Sequence, residues 1–285
     1  MLQKVKSVYR TLYELSDRMD KHHIYLISAG IAFNILLYII PLFLVTIFVL
    51  SKVISFESIL PTLEHLLREI LPQTNYSDTM ITQILKEIVF VKNNSSTAGW
   101  IGLFMLLWLS SVLFSSIRTG LNNIFHIESP RIFVIYRLKD IFLTLVLTLL
   151  ILVSTFVIPL TSLLVPLIDN IFPEFIEEYV SMLTLQAISL ASTFIFFLFI
   201  FNLVPNKLPH WKIRLMSTGF SVVLIELSRR IFAWYISGTG NYGKLYGSFA
   251  VIVSIAVWLY YSTLILLFSA EISQFIFDRG KRKKA

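Results

Sequence analysis

The chain alternates long apolar runs with shorter polar links, and six of the runs approach the roughly 20 residues that a helix needs to cross a bilayer. They cover residues 24–51, 99–117, 139–167, 180–204, 212–237 and 246–277. A spanning segment in lipid must satisfy its own backbone hydrogen bonds, so these runs predict helices rather than strands. The expected fold is all-α: one polytopic membrane domain over residues 1–285, with six transmembrane helices. Two further elements flank the first run. Before it, Val5, Val8, Leu12, Leu15 and Met19 recur at helical spacing among Lys4, Lys6, Arg10, Arg18 and Lys21. That pattern predicts a basic amphipathic helix over residues 1–23, lying on the membrane surface or packed on the bundle. After it, residues 52–98 form the longest polar link, with apolar residues at helical spacing on both sides of a break at 72–78. This is the expected helical periplasmic insert.

Within the runs a few polar or small residues stand out. Ala29, Gly30 and Ala32 make a narrow face suited to close helix contact, and Pro41 is expected to kink the first span. Asn34 is expected to hydrogen-bond across helices, with contact to a transported species as the alternative. Ser110, Ser111, Ser115 and Ser116 of the second run are expected to satisfy one another or a neighbouring helix, and Arg118 marks its end.

Composition agrees with the pattern. Hydrophobic residues make up 56% of the chain and charged residues 14%, where about 25% is usual for soluble domains. The 24 lysines and arginines would by themselves suggest nucleic acid, but their positions say otherwise. Five precede the first run, four lie in residues 118–139, three in 205–214 and five in the tail. The intervening links carry four, none and one. The positive-inside rule then places both termini in the cytoplasm, and the excess of base needs no nucleic acid. The partners expected are membrane lipids, above all anionic headgroups at the cytoplasmic face, and a homo-oligomer stays open. Cysteine is absent, which excludes disulfides and thiolate chemistry.

The densest intramembrane charge lies in the fifth run. Glu226 is three residues from Arg229 and four from Arg230, so both arginines share its helix surface. Counted from the start of its helix, Glu226 falls about 21 Å along a run of about 35 Å, near the bilayer midplane. Charges at such depth pair, line an aqueous cavity or serve function. Two readings stay open: an internal ion-pair cluster that fixes packing, or a site for an anion or lipid headgroup. The turn that follows has Tyr235, Tyr242, Tyr246 and Gly247 among closely spaced glycines. It reads as an interfacial re-entry held by aromatic anchors, or as a gate. Glu271, near the far end of the sixth run, is expected to pair with the basic 205–214 link or with Arg118.

No enzyme is expected. The five histidines form no metal-spaced pair, and no HExxH, GxSxG, P-loop or dinucleotide fingerprint is present. No cofactor or metal is implied, and a ribonuclease would need clustered His and Asp ligands in a soluble fold. The segment from Ala29 to Pro41 resembles the opening of the YihY/virulence factor BrkB family. So do Leu121 to Phe125, which includes Asn123, then Glu226 with Arg230, Phe232 and Tyr235, Leu245 to Ser248, and Ser269 to Ile272. Asn34, Tyr38 and Ser269 depart from residues usual there. The resemblance covers nearly the whole chain and implies a bacterial inner-membrane protein with six helices. It further implies a role in envelope integrity or transport. The function expected is transport or lipid and anion handling at Glu226, Arg229 and Arg230, against a non-transporting scaffold as alternative.

Overall fold

The structure, a computed structural model, describes residues 2–53, 82, 85–86, 89, 95–128, 138–144, 146, 174–238 and 250–282. Every regular element among them is helical. We label α1 (Leu2–Lys21), α2 (Ile24–Val53), α3 (Ser95–Ile124), α4 (Glu174–Leu203), α5 (Trp211–Gly238) and α6 (Ala250–Arg282). Residues 138–144 form a further helical stretch. Much of the 52–98 insert, most of the 139–167 run and the turn with Tyr242, Tyr246 and Gly247 lie outside the described residues, as does the Tyr235 side chain.

Among the described residues, three helices are long and apolar enough to cross a membrane, over Ile24–Leu42, Gly99–Ile124 and Val253–Lys281. The apolar part of α4, Ser189–Leu203, is shorter. In α5 the Glu226, Arg229 and Arg230 trio interrupts an otherwise apolar helix.

Packing follows from the seams these helices present. α2 lies against α3 and α6, α6 against α5, α4 against α5, and α1 against α6 and α2. Ile24, Ile31, Phe114, Leu121, Phe201, Val204 and Leu267 are almost wholly buried and form one core cluster. Side-chain contacts fix the directions. Asn123 Nδ2 donates to the His22 carbonyl at one end of the α2–α3 pair, and Gly99 meets Phe48 at the other, so the two helices are antiparallel. Thr263 Oγ1 donates to the Ser28 carbonyl and His22, just before α2, meets Glu271, which makes α6 antiparallel to α2. Lys139 reaches the Pro205 carbonyl and Arg214 bonds Asn202. The start of α2, the ends of α3, α4 and α6, and the starts of α5 and of residues 138–144 therefore share one end of the bundle.

That end is closed by two left-handed histidines. His23 (φ 50°) ends α1, and its carbonyl accepts from the Ile27 N–H to open α2. His126 (φ 54°) ends α3 in a Schellman arrangement, with Ile127 N–H on the Asn122 carbonyl and His126 N–H on that of Asn123. Left-handed backbone costs a non-glycine residue of order 1–3 kcal/mol, so the surrounding contacts hold both corners.

Three sequence expectations change. α3 runs on to Ile124, so Arg118 lies inside the helix rather than at its end. Glu174, Glu177 and Glu178 open α4, which starts six residues before the 180–204 run. The close approach is made by α3: a Cβ on Gly99 would sit 2.3 Å from Phe48, and one on Gly102 2.9 Å from Leu44. A Cβ on Gly30 would meet nothing within 4 Å. α2 continues through Pro41, whose missing N–H interrupts one bond of the ladder without ending the helix.

Candidate functional site

Glu226, Arg229 and Arg230 lie together on α5. Arg229 Nη1 donates to Glu226 Oε2 at 3.0 Å, and Arg230 Nε is 3.6 Å from Glu226 Oε1. The three side chains are 31%, 48% and 76% exposed in the same order, so the trio is not an internal cluster. Its neighbours on the helix surface, Val223, Leu227, Ile231 and Trp234, are exposed apolar side chains. One carboxylate thus balances one of two guanidiniums on an outward apolar face. Arg229 holds the hydrogen bond. Among the described residues Arg230 donates none.

The depth of this trio differs from the count along its own helix. His210 packs on Phe277 with ring centroids 4.9 Å apart, and Phe232 on Trp258 at 5.1 Å. Interpolating between these contacts sets Glu226 opposite Thr263, which touches α2 at Ser28. Glu226 is therefore level with the first turn of α2, about 6 Å from Ile24, and Arg230 about 12 Å from it at 1.5 Å per residue. The helix α5 starts well beyond the α1–α2 elbow, so distance from its first residue overstates depth. Helical side chains lean toward their own N-terminus, and for Arg229 and Arg230 that direction is the elbow end.

Other candidates occupy packed positions. Asn34 Nδ2 donates to Ser116 Oγ at 2.8 Å, joining α2 to α3. Arg118 is buried and pairs with Asp140 of the 138–144 helix, while its Nε reaches the Val204 carbonyl. Ser111 Oγ lies 3.5 Å from the same carboxylate. Glu271 is fully buried, yet its partner is neither Arg118 nor the 205–214 link. His22 Nδ1 meets Glu271 Oε2 at 2.6 Å, and Arg18 Nη1 stands 3.9 Å from the other oxygen. Arg18 also binds Asp278 at 3.0 Å, and Arg279 spans Glu14 and Thr11. α1 is thereby fastened along the end of α6. Met19 is buried there, while Tyr9, Leu12 and Tyr13 stay exposed.

Sequence reasoning missed Asp140, His22, Arg18 and Asp278 as partners. An acid just inside an apolar run signalled Asp140; the rest carried no local signal, being 249 and 260 residues from their partners. Among the described residues no group of three or more His, Asp or Glu is gathered as a metal ion would need.

Comparison with known proteins adds the family. The model described as Virulence factor BrkB matches residues 15–285. A UPF0761 membrane protein of Alteromonas mediterranea is 26% identical, covering 100% of this chain and 96% of that protein. One of Pseudoalteromonas atlantica is 29% identical over 88% of this chain and 80% of its own length. A third, of Chromohalobacter salexigens, is 25% identical over 98% of this chain, which spans 65% of that relative. No solved structure matches the chain.

Proposed function

The chain belongs to the virulence factor BrkB family of membrane proteins, and on that footing we propose that it is a lipid- or anion-handling transporter of the bacterial inner membrane. It spans the bilayer six times, with the elbow end and both termini in the cytoplasm. The shared end of the six helix starts and stops supports this count, and the distribution of Lys and Arg supports the orientation. It works without a catalytic step of its own, and its partners are membrane lipids, with anionic headgroups at the cytoplasmic face.

One observation carries the reading. Two arginines share a single carboxylate on an outward apolar face of α5, about 6–12 Å from the elbow level. A charge in that position is costly unless an anion or water solvates it. A structural ion pair would be expected inside the bundle, where Arg118–Asp140 and His22–Glu271 are found.

The test replaces Glu226, Arg229 and Arg230 together by Leu, Leu and Met. The bundle loses no internal contact, so thermal stability in detergent should hold within a few degrees. Rescue of the envelope defect in a strain lacking the gene should disappear. A stable triple variant with full rescue overturns the proposal and leaves the scaffold reading.

A further inference from the structure

Between α5 and α6 lies an open groove of about 800 Å³. Leu227, Ile231 and Trp234 of α5 line one wall, Val257, Tyr261 and Leu264 of α6 line the other, and Tyr25 stands at its elbow end. It follows α5 from Leu224 to Trp234, about 15 Å at 1.5 Å per residue. That is half of the roughly 30 Å hydrocarbon layer, the depth of one leaflet. Its volume falls in the range of ligand cavities, about 300–1,000 Å³.

Arg230 is the charge beside it. Three residues after Leu227 and four before Trp234, it is their neighbour on the helix surface. Glu226 is hydrogen-bonded to Arg229 and stands 3.6 Å from Arg230 Nε, so Arg230 shares that carboxylate as an ion pair but donates no hydrogen bond among the described residues. Its side chain leans toward the elbow, where a headgroup belonging to a chain in the groove would sit.

Resting on the lipid-handling reading above, we infer that this groove holds one acyl chain of an anionic phospholipid of the elbow-side leaflet, with its phosphate on Arg230. The apolar walls match the chain and the guanidinium matches the phosphate, since Arg presents a planar fork to phosphate oxygens. A second protein helix would fill the walls but would need its own acid to answer Arg230.

The test uses the full chain in phosphatidylcholine vesicles containing phosphatidylglycerol, with bromine on the acyl chains of one lipid at a time. Bromine quenches a tryptophan that its chain touches, and the signal of Trp234 is the difference between the chain and W234F. Brominated phosphatidylglycerol should quench Trp234 about fivefold more effectively than brominated phosphatidylcholine at equal mole fraction, the preference one basic residue gives near anionic lipid. Arg230→Gln should abolish the preference while quenching by phosphatidylcholine stays unchanged, which shows that the groove is still formed; Arg230→Lys should keep part of it. Equal quenching by both lipids in the unaltered chain overturns the inference, as annular lipid only. A Trp234 that neither lipid quenches also overturns it, by showing the groove covered by protein, and so does loss of the preference on adding inorganic phosphate at a level where chloride of equal ionic strength leaves it intact, which would make the site one for free phosphate. In each of these cases, continued dependence of rescue on the two arginines would leave anion handling standing, so the two failures are separable.

Discussion

Burial separates the Arg118–Asp140 pair from the Glu226 trio. Arg118 and Asp140 face each other inside the bundle, with side chains 8% and 3% exposed. Removing one partner from such a pair leaves the other charge unsolvated and costs about 3–5 kcal/mol, whereas replacing both by apolar residues of similar size is often neutral. Arg118→Met should therefore destabilise the protein by that amount in a detergent melt, and adding Asp140→Leu should recover most of it. If the double variant is as unstable as the single one, the pair does more than fill its own site, for instance through the Arg118 bond to Val204. Arg118 and the Glu226 trio were legible in the sequence; Asp140 as a partner, and the surroundings of both clusters, were not. Glu226 with its arginines announced itself through local spacing, yet which way that face of α5 pointed depended on neighbours that spacing does not encode. Glu271 was visible as an acid in an apolar run, but His22 and Arg18 are its partners only because α6 returns to the elbow.

At the scale of the helix, hydropathy located α2, α4, α5 and α6 to within a few residues at most boundaries, because apolar content decides what lipid or core accepts. It did not reveal contact faces or relative heights. Gly30 and Gly99 look alike in the sequence, and only Gly99 touches another helix. Gly99→Ala should push a methyl into the Phe48 side chain near its root and cost about 1–3 kcal/mol, as overpacking does. Gly30→Ala meets open space and should be neutral or stabilise by up to ~1 kcal/mol through helix propensity. Parallel detergent melts of the two variants check this, and equal losses would mean that α2 also packs through Gly30. The height of α5 was misjudged for a related reason. Depth depends on where a helix starts relative to its neighbours, and ring contacts such as His210–Phe277 set that offset.

For the molecule as a whole, the six helix ends gathered at the elbow make orientation a single binary choice. The native chain has no cysteine, so one introduced at Ser16, exposed on α1, and another at Thr97, exposed at the far end of the bundle, report it cleanly. An impermeant maleimide added outside intact cells should label the Thr97→Cys variant and not the Ser16→Cys variant; the reverse would invert the topology. The fastening of α1 to α6 also governs the order in which the protein is completed. Arg18 and His22 wait for partners 260 and 249 residues later. At about 5–20 residues per second of synthesis, that delay is on the order of 12–50 s. During it α1 has α2 but not α6 to pack on, and Tyr9, Leu12 and Tyr13 stay exposed. α6 thus locks a helix made long before it, so a chain cut short before Glu271 leaves α1 unlatched and distinguishable from one that carries α6.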